Sequence, residues 1–253
     1  MSSSAPRSEP ERGRGAAATF PVTQWSVVAA AARSGDSAAR AALATLLTRY
    51  RAPLVLYARH RGYGDAAEDR VQDFFVHLLE RDTLARARRE RGRFRSFLLA
   101  CFRYHLADQL DRARAVRRGG GAEHTALDAD AAATLRSSGD AGSDAETPES
   151  LYARRWALAT LEHALAAVER EYVRNGRQAV FAALRGALDG ELEESYAELA
   201  ARLGSTAGAL KVAVHRLRRR FAAALRAAVA ATVVRPEQVD DELRFLVRSL
   251  GGR

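Results

Sequence analysis

Asp65, Asp69, Asp73 and His77 recur at every fourth position of DAAEDRVQDFFVHLLE, residues 65–80. On a helix that spacing sets three carboxylates and an imidazole along one face. Such a stripe could ligate a metal ion, grip a partner or simply sit in water. One histidine on one helix supplies too few ligands for a metal centre. No nucleophile, phosphate-cradling glycine loop or second ligand cluster accompanies it, so neither a catalytic residue nor a cofactor is expected and the chain reads as a non-enzyme. Binding chemistry is better represented. GRFRSFLLACFRYHLADQL, residues 92–110, sets arginines among aromatics, and ALKVAVHRLRRRF, residues 209–221, sets them on a repeating apolar pattern. Arginines neutralise phosphates, and flat rings stack on unpaired bases at about 1–3 kcal/mol per base.

The position of the charge carries more than its total. Basic residues outnumber acidic ones by 40 to 31 over 253 residues, a net charge of +9. Lys211 is the single lysine, and a GC-rich genome would produce an arginine excess without any ligand. The distribution is harder to obtain that way. Residues 81–118 hold 12 arginines against Asp82, Glu90, Asp108 and Asp111, and residues 199–226 hold seven cations and no acid. Between them, residues 119–149 hold seven acids against Arg136. Two basic blocks with an acidic spacer fit a polyanionic partner. The single cysteine, Cys101, excludes an internal disulfide framework and suits a reducing compartment. The first 19 residues lack the apolar core of a signal peptide, and no stretch approaches the roughly 18 apolar residues of a membrane span. A cytoplasmic chain with no membrane partner is expected.

The elements that must position these residues are helices. Apolar residues recur at three- and four-residue spacing and alternating runs are absent, which predicts an all-α fold: two helical domains joined by a flexible acidic linker, the C-terminal one containing a helix-turn-helix. The expected division is a disordered tail over 1–19, a first domain over 20–118 that includes a helix with Trp25, a linker over 119–149, a second domain over 150–232 and an extension helix over 233–253. Asp65 with Glu68 and Ser195 with Glu198 fit the capping box, and Thr147 before Pro148 fits a cap and first helical residue. Pro53 is expected to bend or split the helix running from about Asp36 to His60. Leu151–Asp189 reads as two amphipathic helices joined near Gly176, and Pro236 as the start of a final helix carrying Leu243, Leu246 and Leu250 on one side. The linker lacks the apolar residues to fold by itself, and its roughly 30 residues reach about 100 Å when extended.

SYAELAARLGSTAGALKVAVHRLRRRF, residues 195–221, is the clearest motif. A short helix ends at Gly204, which suits a tight turn, and Thr206 caps the next helix. There Leu210, Val214, Leu217 and Phe221 form one apolar stripe, leaving Gly208, Lys211, Val212, His215, Arg216 and Arg219 outward. That is the layout of a recognition helix, with base edges within reach of its first half and phosphates within reach of its arginines. In residues 92–110, Phe94, Phe97, Leu98 and Cys101 share one face and Leu99, Phe102 and Leu106 another; both read as core, leaving Tyr104 and His105 as the aromatics expected in the open.

Residues 195–221 resemble the fourth conserved region of bacterial sigma factors of the extracytoplasmic-function (ECF) type, in the sigma-70 superfamily, with Tyr196, Glu198, Leu199, Ala200, Gly204, Gly208, Lys211, His215, Arg216 and Arg218 in matching places. Ala213 stands where the family commonly has arginine, and Val212 where it has a small polar residue. Residues 65–80 resemble the second-region helix that grips the polymerase β′ coiled coil, matching at Asp69, Val71, Gln72, Asp73, Phe75 and Leu78. Residues 92–110 resemble the helix that opens and holds the minus-ten element, with Phe97 in place of the usual tryptophan, Tyr104 in place of asparagine, and Arg103 and Asp108 matching. The resemblance implies a promoter-specificity subunit whose partners are core RNA polymerase, through β′ and β, and promoter DNA, with an anti-sigma factor or a regulatory kinase as possible controllers. It implies upstream-element contacts from Thr206, Gly208, Lys211, Val212, His215, Arg216 and Arg219. Minus-ten contacts would come from Arg93, Arg95, Phe97, Arg103, Tyr104 and Arg112, and polymerase contacts from Asp69, Gln72, Asp73 and Phe75. A stand-alone helix-turn-helix regulator, its N-terminal half a dimerisation or sensor module, is the alternative reading.

Overall fold

The computed structural model describes residues 37–80, 93–117, 147–190 and 194–251. These residues are mostly helical and include no strand. The tail over 1–19, the helix with Trp25, the arginines between 81 and 91 and nearly all of the acidic segment lie outside the described residues.

Helix α1, Ser37–Ala58, passes through Pro53 without the expected split. A proline inside a helix removes one N–H bond and crowds the carbonyl four residues back. Here Leu43, Leu47 and Tyr50 before it and Leu54, Tyr57 and Ala58 after it are all buried at 2% exposure or less in one core, and their shared packing holds the two halves in one helix. Arg59–Tyr63 forms a wider turn with Gly62 at φ 91, and Gly64–Ala66 a 3-10 turn, leading into α2, Ala67–Glu80. The capping box expected at Asp65 and Glu68 does not form. The Glu68 carboxylate is taken instead by Arg51 and by Arg59 at 3.6 Å.

Helix α3, Phe94–Arg117, follows. Helix α4, Pro148–Arg174, starts as the sequence implies: Thr147 Oγ1 accepts from the Ser150 N–H at 3.1 Å with proline in the first turn. Residues 147–149, assigned to the linker, therefore belong to the cap and first turn of α4. Gly176, at φ 65, closes α4 and leads to α5, Gln178–Leu184, and a 3-10 turn over Arg185–Leu188. Then come α6, Tyr196–Arg202, α7, Ala207–Ala230, a 3-10 turn at Pro236–Gln238, and α8, Val239–Gly251.

Two apolar cores organise these helices, and α4 runs through both; its 27 residues span about 40 Å. Tyr152 and Trp156 near its start join Tyr50, Phe74, Phe94 and Phe102 of α1–α3. Val229 of α7 and Val239 and Leu246 of α8 enter the same core. Val168 and Tyr172 near the other end of α4 join Phe181, Leu184, Leu199, Leu210, Val214 and Leu217. The boundary between the cores therefore falls within α4 and α7, not along the acidic segment: the last helix and the first half of α4 pack with the helices that precede that segment.

Candidate nucleic-acid interface

Helix α6 is held at its start by the full capping box: Ser195 Oγ accepts from the Glu198 N–H at 3.3 Å, and Glu198 Oε2 accepts from the Ser195 N–H at 2.9 Å. Its other end closes through two bonds, Ser205 N–H to the Ala200 carbonyl at 2.9 Å and Gly204 N–H to the Ala201 carbonyl at 3.4 Å. This pairing needs a left-handed residue at the turn, and Gly204 supplies it at φ 60. Thr206 Oγ1 then accepts from the Ala209 N–H at 3.2 Å and starts α7. Leu210, Val214 and Leu217 are buried at 4% exposure or less, with Phe221 half-buried beside them.

That inward stripe fixes what faces out. Thr206, Gly208, Lys211, Val212, His215, Arg216 and Arg219 are all exposed. Lys211, Arg216 and Arg219 form no ion pair with any described residue, and Val212, at 48% exposure, sits among them as the one large apolar side chain on that face. A basic face with one apolar contact point offers phosphate neutralisation and a surface for a thymine methyl. The remaining arginines of α7 serve the fold. Arg218, one of the residues behind the resemblance, donates twice to the Ala187 carbonyl, at 2.7 and 3.1 Å. Arg220 lies over the Tyr172 ring and 3.4 Å from Glu171, and Arg226 pairs with Asp240 at 2.5 Å.

Helix α3 differs. Arg95 is 7% exposed, with Nε 2.6 Å from Glu242 Oε1 of α8, and its guanidinium lies 3.5 Å above the Phe245 ring and 5.1 Å from that of Trp156. Arg93 reaches the other oxygen of the same carboxylate at 2.7 Å. Arg103 lies 3.7 Å from Glu149, and Arg112 pairs with Asp108 at 2.6 Å. Phe97 is half-buried against Phe94, and Tyr104 is half-buried. His105, expected in the open, is 7% exposed beneath Phe74 and His77, since it falls on the α2-facing side of the helix. Burial, then the neighbouring His77, pushes its pKa down to about 4, so the ring is neutral near pH 7. Its Nε2 meets the Gln109 amide nitrogen at 2.8 Å, Gln109 accepts in turn from Arg70, and Nδ1 is buried without a described partner. Burial alone lifts the Cys101 thiol to about 12, leaving it an inert core group.

On α2, Asp69, Gln72 and Asp73 are exposed and Phe75 is half-buried against the first core. Val76, overlooked in the sequence, is 47% exposed and continues the Asp69, Gln72, Asp73 row at the next helical position. Its spacing of seven from Asp69 was the available signal. The result is a ridge of two acids, an amide and a valine. No group of three or more His, Cys, Asp or Glu among the described residues is arranged to hold a metal ion. None of the described helices is long and apolar enough to cross a membrane. No protein-family model, curated protein or solved structure matches this chain.

Proposed function

We propose that the chain is a promoter-specificity subunit of bacterial RNA polymerase of the extracytoplasmic-function sigma type, a transcription-initiation factor acting in the cytoplasm with no chemistry of its own. The observation that carries this reading is the outer face of α7, where a capped helix behind a tight turn presents Lys211, Val212, His215, Arg216 and Arg219 with no described carboxylate against its cations. Such a helix-turn-helix reads the upstream promoter element in the major groove. The α2 ridge serves as the grip on the β′ coiled coil, and α3 supplies the surface for the melted minus-ten strand. A single charge-driven contact holds DNA at only about 10⁻⁴ to 10⁻⁶ M, so polymerase docking and the second element must supply the remainder.

The test is gel filtration of the purified chain with bacterial core polymerase, alongside duplex binding without polymerase. Stoichiometric co-elution with weak free binding is the expected result. Absence of co-elution with tight sequence-specific binding by the free protein would instead support a stand-alone regulator, a reading favoured by the openness of the α7 face in the isolated chain. Within the sigma reading, Lys211→Ala and Arg216→Glu are expected to lower promoter activity with core affinity intact. Asp69→Ala combined with Gln72→Ala is expected to impair assembly with core.

A further inference from the structure

We propose that α8 is an autoinhibitory clasp: its Glu242 occupies, inside the free chain, the arginine pair that would otherwise take nucleic-acid phosphates. The proposal rests on the sigma reading for its biological setting, but its physical content does not need polymerase.

Three observations carry it. Glu242 is fully buried; Arg95 donates to both its oxygens, at 2.6 and 3.3 Å, and Arg93 shares the second at 2.7 Å, an arrangement a phosphate could also fill. The Arg95 guanidinium is closed in by Phe245 of the same helix and Trp156 of α4. In the same first turn of α8, Asp240 takes Arg226 near the end of α7, so one short acidic segment ties both basic helices. A buried carboxylate with two arginines is a costly way to hold helices together, because apolar side chains of the same volume often do so equally well. Charges suit a contact that must be exchanged for another anion.

The geometry agrees. The Phe94 N–H donates to the Thr232 carbonyl at 3.1 Å, fixing the start of α3 at the end of α7. Release of α8 would free Arg93 and Arg95 while that bond, and the core that Phe94 shares with Trp156 of α4 and Val229 of α7, keep α3 and α7 in place.

The experiment compares the full-length chain with Glu242→Gln, which keeps the shape and removes the charge, for binding to a 20-nucleotide oligo(dT) across a salt series. The expected result is a gain of about tenfold in affinity. The dependence on salt is expected to steepen by about 1.4 in log–log slope, the two extra phosphates at about 0.7 each. Arg93→Ala in the Glu242→Gln background should reverse part of both changes. Hydrogen exchange in the wild-type chain gives the second measurement: amides of residues 239–251 are expected to exchange faster at saturating oligo(dT). A folded Glu242→Gln chain with unchanged affinity and slope overturns the proposal. If that variant does not fold, the wild-type exchange decides, and α8 amides that stay equally protected overturn it. Failure to co-elute with core polymerase would remove the sigma reading while a gain in oligo(dT) binding left the clasp standing.

Discussion

Lys211, Arg216 and Arg219 on α7 and Arg93 and Arg95 at the start of α3 are equally basic in sequence, yet the first set stands in solvent and the second converges on one buried carboxylate. The difference is in what each helix packs against. Around Lys211, Arg216 and Arg219 the inner face of α7 is an apolar stripe and no described carboxylate pairs with those three cations, whereas Arg220 and Arg226 further along the same helix find Glu171 and Asp240. The start of α3 lies against α8, whose first turn carries Asp240, Asp241 and Glu242. A count of arginines therefore locates a basic segment, but the carboxylates folded onto it decide whether the charge is available to a ligand.

The largest expected effect is on the buried pair. Glu242→Ala leaves Arg95 charged and enclosed, and should cost about 3–5 kcal/mol in urea unfolding. Arg216→Ala should stay within about 0.5 kcal/mol of wild type, and similar losses in the two variants would erase the contrast between the helices. Next is His105. It is neutral in the fold down to about pH 4, whereas an unfolded histidine takes a proton near pH 6.5. The unfolded chain then binds more protons, so stability falls as pH drops through that window. The loss should be about 1–2 kcal/mol, partial solvation holding it below the full linkage value. His105→Leu should flatten the profile between pH 7 and pH 4.5, and an unaltered profile would show that the ring is not held neutral. Thr206→Ala, which removes the cap of α7, should cost about 1 kcal/mol in thermal unfolding. The smallest expected effect on stability comes with a distinct binding signature: Lys211→Ala should reduce the log–log salt slope for duplex DNA by about 0.9 and leave the melting temperature unchanged. An unchanged slope would remove Lys211 from the phosphate contacts.

What could be read from the sequence was local. Thr147 with Pro148, the Ser195 and Glu198 box, Gly204 at the turn and the Leu210, Val214, Leu217 stripe each depend on residues within a few positions, and each is found as expected. What escaped was set by distant partners. Arg95 is buried because its carboxylate lies 147 residues further along the chain, a distance no spacing rule can cross. The Asp65 box fails because Arg51 and Arg59, on the preceding helix and turn, compete for Glu68. His105 reads as outward from the sequence because its helix carries apolar residues on two sides, and periodicity does not tell which gap α2 fills. The sequence pattern of the extension helix shows Leu243, Leu246 and Leu250, while its acids make the more specific contacts.

The exposed position of Lys211 makes the face of α7 accessible to labelling. Because it is the single lysine, an amine-reactive dye has one side-chain target in the whole chain, in the middle of that face. Conjugation above the range where the N-terminal amine alone reacts would place a fluorophore on the surface proposed to meet DNA without any mutation. Protection of that one amine by an added duplex would mark the footprint directly.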